Sequence, residues 1–136
     1  MKRAMIALTA AALSACAHTS PAPVSSACPA PDKASAEVAQ VMRNMYAALT
    51  SDDLAGWHGA ITKDFFSFDG GNRFDGDALF DLIKTNHGKG TVYVWTVNDP
   101  KVDVMCDMAL VTYVNTGSVT SPAAAPRNVS WLESAT

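Results

Sequence analysis

The sequence predicts an α+β domain: three N-terminal helices packed on one face of a strongly curved antiparallel sheet. Three observations predict it. Apolar residues recur with a period near 3.6 in segments between Ser35 and Gly88. From Thr91 onward the period drops to two, and β-branched and aromatic residues dominate. The elements run helix, helix, strand, helix and then strands only, which suits helices gathered on one side of an antiparallel sheet. At 136 residues the chain has room for one such domain.

The first helix covers Glu37–Leu49, with Ser35 as its N-cap and Glu37 in its first turn to suit the helix dipole. Val38, Val41, Met42, Met45 and Leu49 make its apolar stripe, with Gln40, Arg43 and Asn44 turned away. Thr50-Ser51-Asp52 interrupts it. Asp52 or Asp53 then caps a second helix, Asp53–Ile61, built on Leu54, Trp57 and Ile61. Asp64–Asp69 alternates as a strand, and Gly70-Gly71 turns the chain. Asp75-Gly76-Asp77 opens a third helix that buries Leu79, Phe80, Leu82 and Ile83, with Gly88 as its left-handed stop. The strands that follow are Val92–Val97, Val102–Met105, Met108–Thr116 and Asn128–Ala135. A turn at Asn98-Asp99-Pro100 and a Ser/Pro/Ala loop through Pro126 separate them.

The N-terminus has a different composition. Met1-Lys2-Arg3 is followed by Ala4–Leu13, apolar except for Thr9, too short to span a bilayer but suited to a signal peptide. Residues 1–15 are therefore excluded from the fold. Leu13-Ser14-Ala15-Cys16 resembles a bacterial lipobox, in which the cysteine is acylated and becomes the new N-terminus; the other reading is cleavage after Ala17. The expected location is the periplasmic side of the cell envelope, lipid-anchored at Cys16, with a soluble periplasmic or secreted protein as the alternative. Residues 16–34, with Pro21, Pro23, Pro29 and Pro31 among Ala and Ser, read as a tether, leaving 35–136 as the domain.

Loss of Lys2 and Arg3 leaves eight basic residues against thirteen acids, about −5 in net charge, with no basic cluster. Nucleic-acid binding and electrostatic attachment to anionic lipid both lack their footprint. Membrane attachment is therefore expected through acyl chains alone. No cofactor is implied, and no Cys/His spacing suits a metal. Cys28 and Cys106 are left once Cys16 is acylated. Either they form a disulfide clipping the tether to the domain, or Cys28 is free and Cys106 buried and inert; the second reading is preferred, because spacing does not reveal pairing.

Several short motifs in order suggest a family. Tyr46-Ala47-Ala48-Leu49, Asp53-Leu54, Asp64-Phe65-Phe66, a helix opened by Gly76, the Val111–Asn115 strand and Trp131-Leu132-Glu133-Ser134 together resemble the nuclear transport factor 2-like superfamily, in its SnoaL-like branch. The resemblance covers Ser35 to the end. It implies a cone-shaped fold with a cavity at its open end, in a superfamily that holds isomerases, cyclases, dehydratases and non-catalytic binding domains. It also implies a hairpin and a final strand beyond Trp131–Thr136. The expectation is a truncated domain with an uncovered sheet edge, or one whose gap a second subunit covers as a homodimer.

The same resemblance puts Asp69 about where the isomerase branch carries its general base. A carboxylate in an apolar cone would have a raised pKa and could shuttle a proton beside a carbonyl. The expected electrophile is a helix-1 tyrosine, and the matched position holds Met45. Tyr46 is rotated by about 100° from it and is expected to face elsewhere. Asp69 also abuts Gly70-Gly71, and a turn role is the preferred reading. Trp57, Tyr93, Trp95, Tyr113 and Trp131 either line an apolar ligand pocket or form core, and core is preferred. His58 and His87 lie near helix ends and suggest surface or capping roles. The sequence favours a non-catalytic domain that binds a small apolar molecule or a protein partner. The alternative is a small SnoaL-like enzyme using Asp69 with Asp64 or Tyr113.

Overall fold

The computed structural model describes Cys28 and residues 30–136. The expected signal peptide, the expected acylation at Cys16 and the expected tether as far as residue 27 lie outside the described residues. The elements run α1 (Pro31–Thr50), α2 (Leu54–Ala60), β1 (Phe66–Asp69), β2 (Asn72–Asp75), α3 (Gly76–Gly88), β3 (Val92–Met105), β4 (Met108–Ser121) and β5 (Ala124–Ala135). The class is α+β, with helices packed on an antiparallel sheet of order β3-β4-β5 and a separate β1-β2 hairpin.

The helix caps follow from the sequence. Asp53 accepts from the Gly56 N–H at 3.0 Å, and Asp75 from the Ala78 N–H at 2.9 Å, each quieting an orphan donor of the first turn. At the end of α3 the Gly90 N–H donates to His87 O at 2.8 Å and the Thr91 N–H to Asn86 O at 3.0 Å. That is the Schellman pattern, so the left-handed residue is Gly90 (φ +86°), two positions beyond the expected Gly88.

Four further expectations need correction. First, α1 starts at Pro31, because the first turn of a helix has no use for the N–H that proline lacks. Second, Val41 and Leu82 lie on exposed faces; α1 buries Met42, Met45 and Leu49 as expected, together with Ala34, Ala39 and Ala48. Third, Asn72–Asp75 is a strand although its composition has little β-preference; the tight Gly70-Gly71 connection aligns it with β1, Ser67 opposite Phe74. Fourth, β1 is shorter than expected, and β3, β4 and β5 are longer. Asn98-Asp99-Pro100 is absorbed as a bulge within β3, and Pro126 lies in β5, which pairs only with β4 and has an irregularity there.

The cysteines pair. Cys28 and Cys106 form a disulfide across 78 residues with Cα atoms 4.5 Å apart, which overturns the preferred reading of a free Cys28 and a buried Cys106. Cys106 sits exposed in the β3–β4 turn with φ +44°. The fold brings the segment before α1 to that turn, a proximity that no spacing rule contains.

The core lies where α1, α2 and α3 meet the sheet. Met42, Met45, Leu49, Trp57, Phe80, Ile83, Val111 and Tyr113 form one cluster. Trp57 is fully buried, and its indole N–H donates to the Gly76 carbonyl at 3.1 Å, tying α2 to the start of α3. Gly117 of β4 stands where the chains come closest: a Cβ there would collide with the Val94 carbonyl oxygen.

Candidate functional site

Period-two alternation puts Tyr93 and Trp95 of β3, Tyr113 and Asn115 of β4, and Trp131 and Glu133 of β5 on the helix-facing side. The register sets Tyr113 opposite Glu133 and Asn115 opposite Trp131. Helix α1 adds Tyr46 at the flank of its buried stripe. Tyr46 thus faces the sheet, contrary to expectation. The stripe of α1 is wide enough to carry both Met45 and its neighbour into the interface.

Tyr46, Tyr113 and Glu133 form a directed chain. The Tyr46 hydroxyl donates to Glu133 Oε2. A phenol has one proton, so in the 3.2 Å bond between the two hydroxyls Tyr113 donates and Tyr46 accepts. Burial is the main cause that pushes the Tyr46 phenol far above its ordinary range, and the nearby Tyr113 and Glu133 add to it. Burial also raises Tyr113 well above the usual value, partly opposed by its hydrogen bond with Tyr46. Both phenols stay neutral through the physiological range and serve as hydrogen-bond donors.

An aromatic row extends from this chain. The Tyr46 ring meets Tyr113 edge-on at 6.4 Å and tilts against Trp95 at 5.7 Å. Trp95 stacks on Tyr93 at 5.1 Å, and His87 meets Tyr93 edge-on at 5.6 Å. Polar contacts fasten the far end: Asn86 Nδ2 donates to the Tyr93 hydroxyl at 2.9 Å, and His87 Nδ1 pairs with Asp52 Oδ1 at 2.8 Å. His87 therefore links α3 to the α1–α2 turn, while His58 pairs at the surface with Asp77, 2.7 Å away.

Asn115 is fully buried. Its Oδ1 accepts from the Thr96 N–H at 3.0 Å, which settles the amide's orientation, and its Nδ2 has no partner among the described residues. An unpaired buried donor costs about 1–3 kcal/mol. It is an open hydrogen-bond position in an otherwise apolar wall. On the opposite, outer face of the sheet, an open groove of about 470 Å³ runs past Thr112, Val114, Leu132 and Ser134.

Tyr93, Trp95 and Tyr113 are brought together, with Trp131 on the same face two residues from Glu133. Trp57 is placed in another part of the core, its ring neighbours being Phe65 and Phe80. Asp69 stands exposed at the end of β1, opposite Asn72 in the hairpin. Asp64 is also exposed, its carboxyl held below the usual range first by the Thr62 hydroxyl and then by a backbone hydrogen bond. Sequence reasoning gave no chemical role to Glu133 and placed Asn115 only as sharing a face with Tyr113. The only available signal was their place in the alternation, two residues from Trp131 and from Tyr113. Among the described residues no three His, Cys, Asp or Glu side chains gather as a metal site, and no helix is long and apolar enough to cross a membrane.

No protein-family model matches the sequence, and no curated protein does. Solved structures do match it in fold. One, described as an M. tuberculosis LEH-like epoxide hydrolase, aligns with a TM-score of 0.60 over 74% of this chain and 69% of that one, at 14% identity. At that identity the likeness concerns the fold alone. The fold is the nuclear transport factor 2-like one that the sequence motifs imply.

Proposed function

We propose that this chain is an exported domain, held through acyl chains at Cys16 on the periplasmic side of the cell envelope. It binds a small apolar molecule against the aromatic inner face of its sheet and does not turn it over. One observation carries the binding reading: the Tyr46–Trp95–Tyr93 row lies beside a buried Asn115 amide with a donor to spare. That combination of apolar wall and sparse polar handles is the usual form of a small-molecule site. The Cys28–Cys106 disulfide supports the location, because such bonds persist in oxidising compartments outside the cytoplasm.

Titration with N-phenyl-1-naphthylamine, an uncharged apolar fluorophore, tests the binding. The expected result is saturable binding of one molecule per chain with quenching of tryptophan emission, weakened at least tenfold by Trp95→Ala. Non-saturable uptake, or uptake indifferent to Trp95, would overturn it. Metabolic labelling with a palmitate analogue tests the anchor; label that survives Cys16→Ser sinks it.

A second reading, a small SnoaL-like enzyme using a cavity carboxylate, is favoured by one specific contact. Glu133 faces the helices, and the neutral Tyr46 phenol that donates to it holds the carboxylate in place to act as a general base. Asp69 is the base by resemblance and Glu133 the base by geometry. Glu133→Gln and Asp69→Asn separate them on any substrate that is turned over.

A further inference from the structure

The lipid-anchor reading leaves open which end of the domain meets the membrane. We infer that the β3–β4 turn, carrying Met105 and Met108, rests on the lipid surface; this rests on acylation at Cys16. The disulfide fixes Cys28 to Cys106 in that turn. Cys28 is twelve positions beyond Cys16, so the fixed point stays within about 40 Å of the acylated residue even with the chain fully extended. The leash therefore ends on the turn itself.

The turn is built for apolar contact. Met105 and Met108 are register partners across the β3–β4 ladder, so their side chains are direct neighbours, and they are 48% and 50% exposed. Methionine is flexible and apolar, suited to an irregular interface such as the headgroup boundary. The charges at this end are Lys101, Asp103 and Asp107, with no basic excess to attract anionic lipid. The contact is held by the leash and by apolar burial, and so does not depend on salt.

The test uses the full acylated chain purified and reconstituted into phosphatidylcholine vesicles, with peroxide oxidation of each methionine followed by mass spectrometry. Met105 and Met108 should oxidise at least fivefold more slowly than in the unacylated Cys16→Ser chain in solution, in low salt and in 1 M salt alike. Leu132, 87% exposed on the outer sheet face, should react equally with hydroxyl radical in both samples. Equal methionine rates overturn the inference while leaving the anchor intact, as does protection that spreads to Leu132. Protection in native membranes but not in phosphatidylcholine vesicles means a protein covers the turn, and the lipid contact falls. A purified chain without acyl mass on Cys16 removes the anchor and this orientation together.

Discussion

The two faces of the β3-β4-β5 sheet treat residue types in opposite ways. On β5, Leu132 points outward and is almost wholly exposed, while its neighbour Glu133 turns inward and accepts a hydrogen bond from Tyr46. The outer face continues with Val94, Thr96, Thr116, Ser118 and Ser130 around an open groove of about 440 Å³. The inner face carries the aromatic row, the phenol–carboxylate chain and the buried amide. Hydropathy alone would exchange Leu132 and Glu133. Register decides instead, because a strand cannot turn one residue over without turning all of them. A carboxylate held inside against that gradient has a partner there, which is why the inner face is the candidate site.

The largest test of this contrast is Gly117→Val. A side chain there meets the Val94 carbonyl and would push β3 from β4, spoiling both faces together; a loss of at least about 3 kcal/mol is expected in urea unfolding. Reducing the disulfide, or Cys28→Ser with Cys106→Ser, touches neither face and should cost about 2–4 kcal/mol in the same assay. Glu133→Ala leaves the Tyr46 hydroxyl without its acceptor and should cost about 2 kcal/mol, against less than about 0.5 kcal/mol for Leu132→Ser one position away. Equal costs for these two neighbours would break the comparison.

Alkaline pH sharpens it. Both inner-face phenols titrate higher in the folded chain than in the unfolded one. Below the ordinary tyrosine pKa both states are protonated and this contribution to stability is whole. Above it the unfolded chain releases protons that the folded chain keeps, so stability falls as pH rises, by up to about 1.4 kcal/mol per pH unit for each phenol. Chemical unfolding from pH 9 to 11 should show this fall, and Tyr46→Phe with Tyr113→Phe should flatten it. An unchanged slope in the double variant would place both phenols in contact with water.

Much of the fold was legible because local chemistry and tertiary structure agree. Asp53 and Asp75 act as caps in both, and the alternation of β3 and β4 is plain in their residues. What was not legible depends on neighbours distant in sequence. Asn72–Asp75 is a strand only because β1 lies beside it. Tyr46 looked misplaced beside Met45 until the sheet supplied Tyr113 and Glu133, 67 and 87 residues away. The disulfide is the same case: nothing around Cys28 or Cys106 signals the other. Pro31 is different, a local feature read as a breaker where position makes it a starter.

The disulfide also divides the polypeptide topologically. Residues 28–106 form a covalently closed loop that holds all three helices, β1, β2 and β3, and leaves β4 and β5 on an open tail. A single protease cut at the exposed Gly70-Gly71 tip therefore yields a nicked molecule whose parts migrate as one until reductant is added. A cut after Asp107 sheds its distal piece at once under denaturing conditions. Cys106 precedes β4 in the chain, so the loop can be sealed before the strands that complete the site have paired.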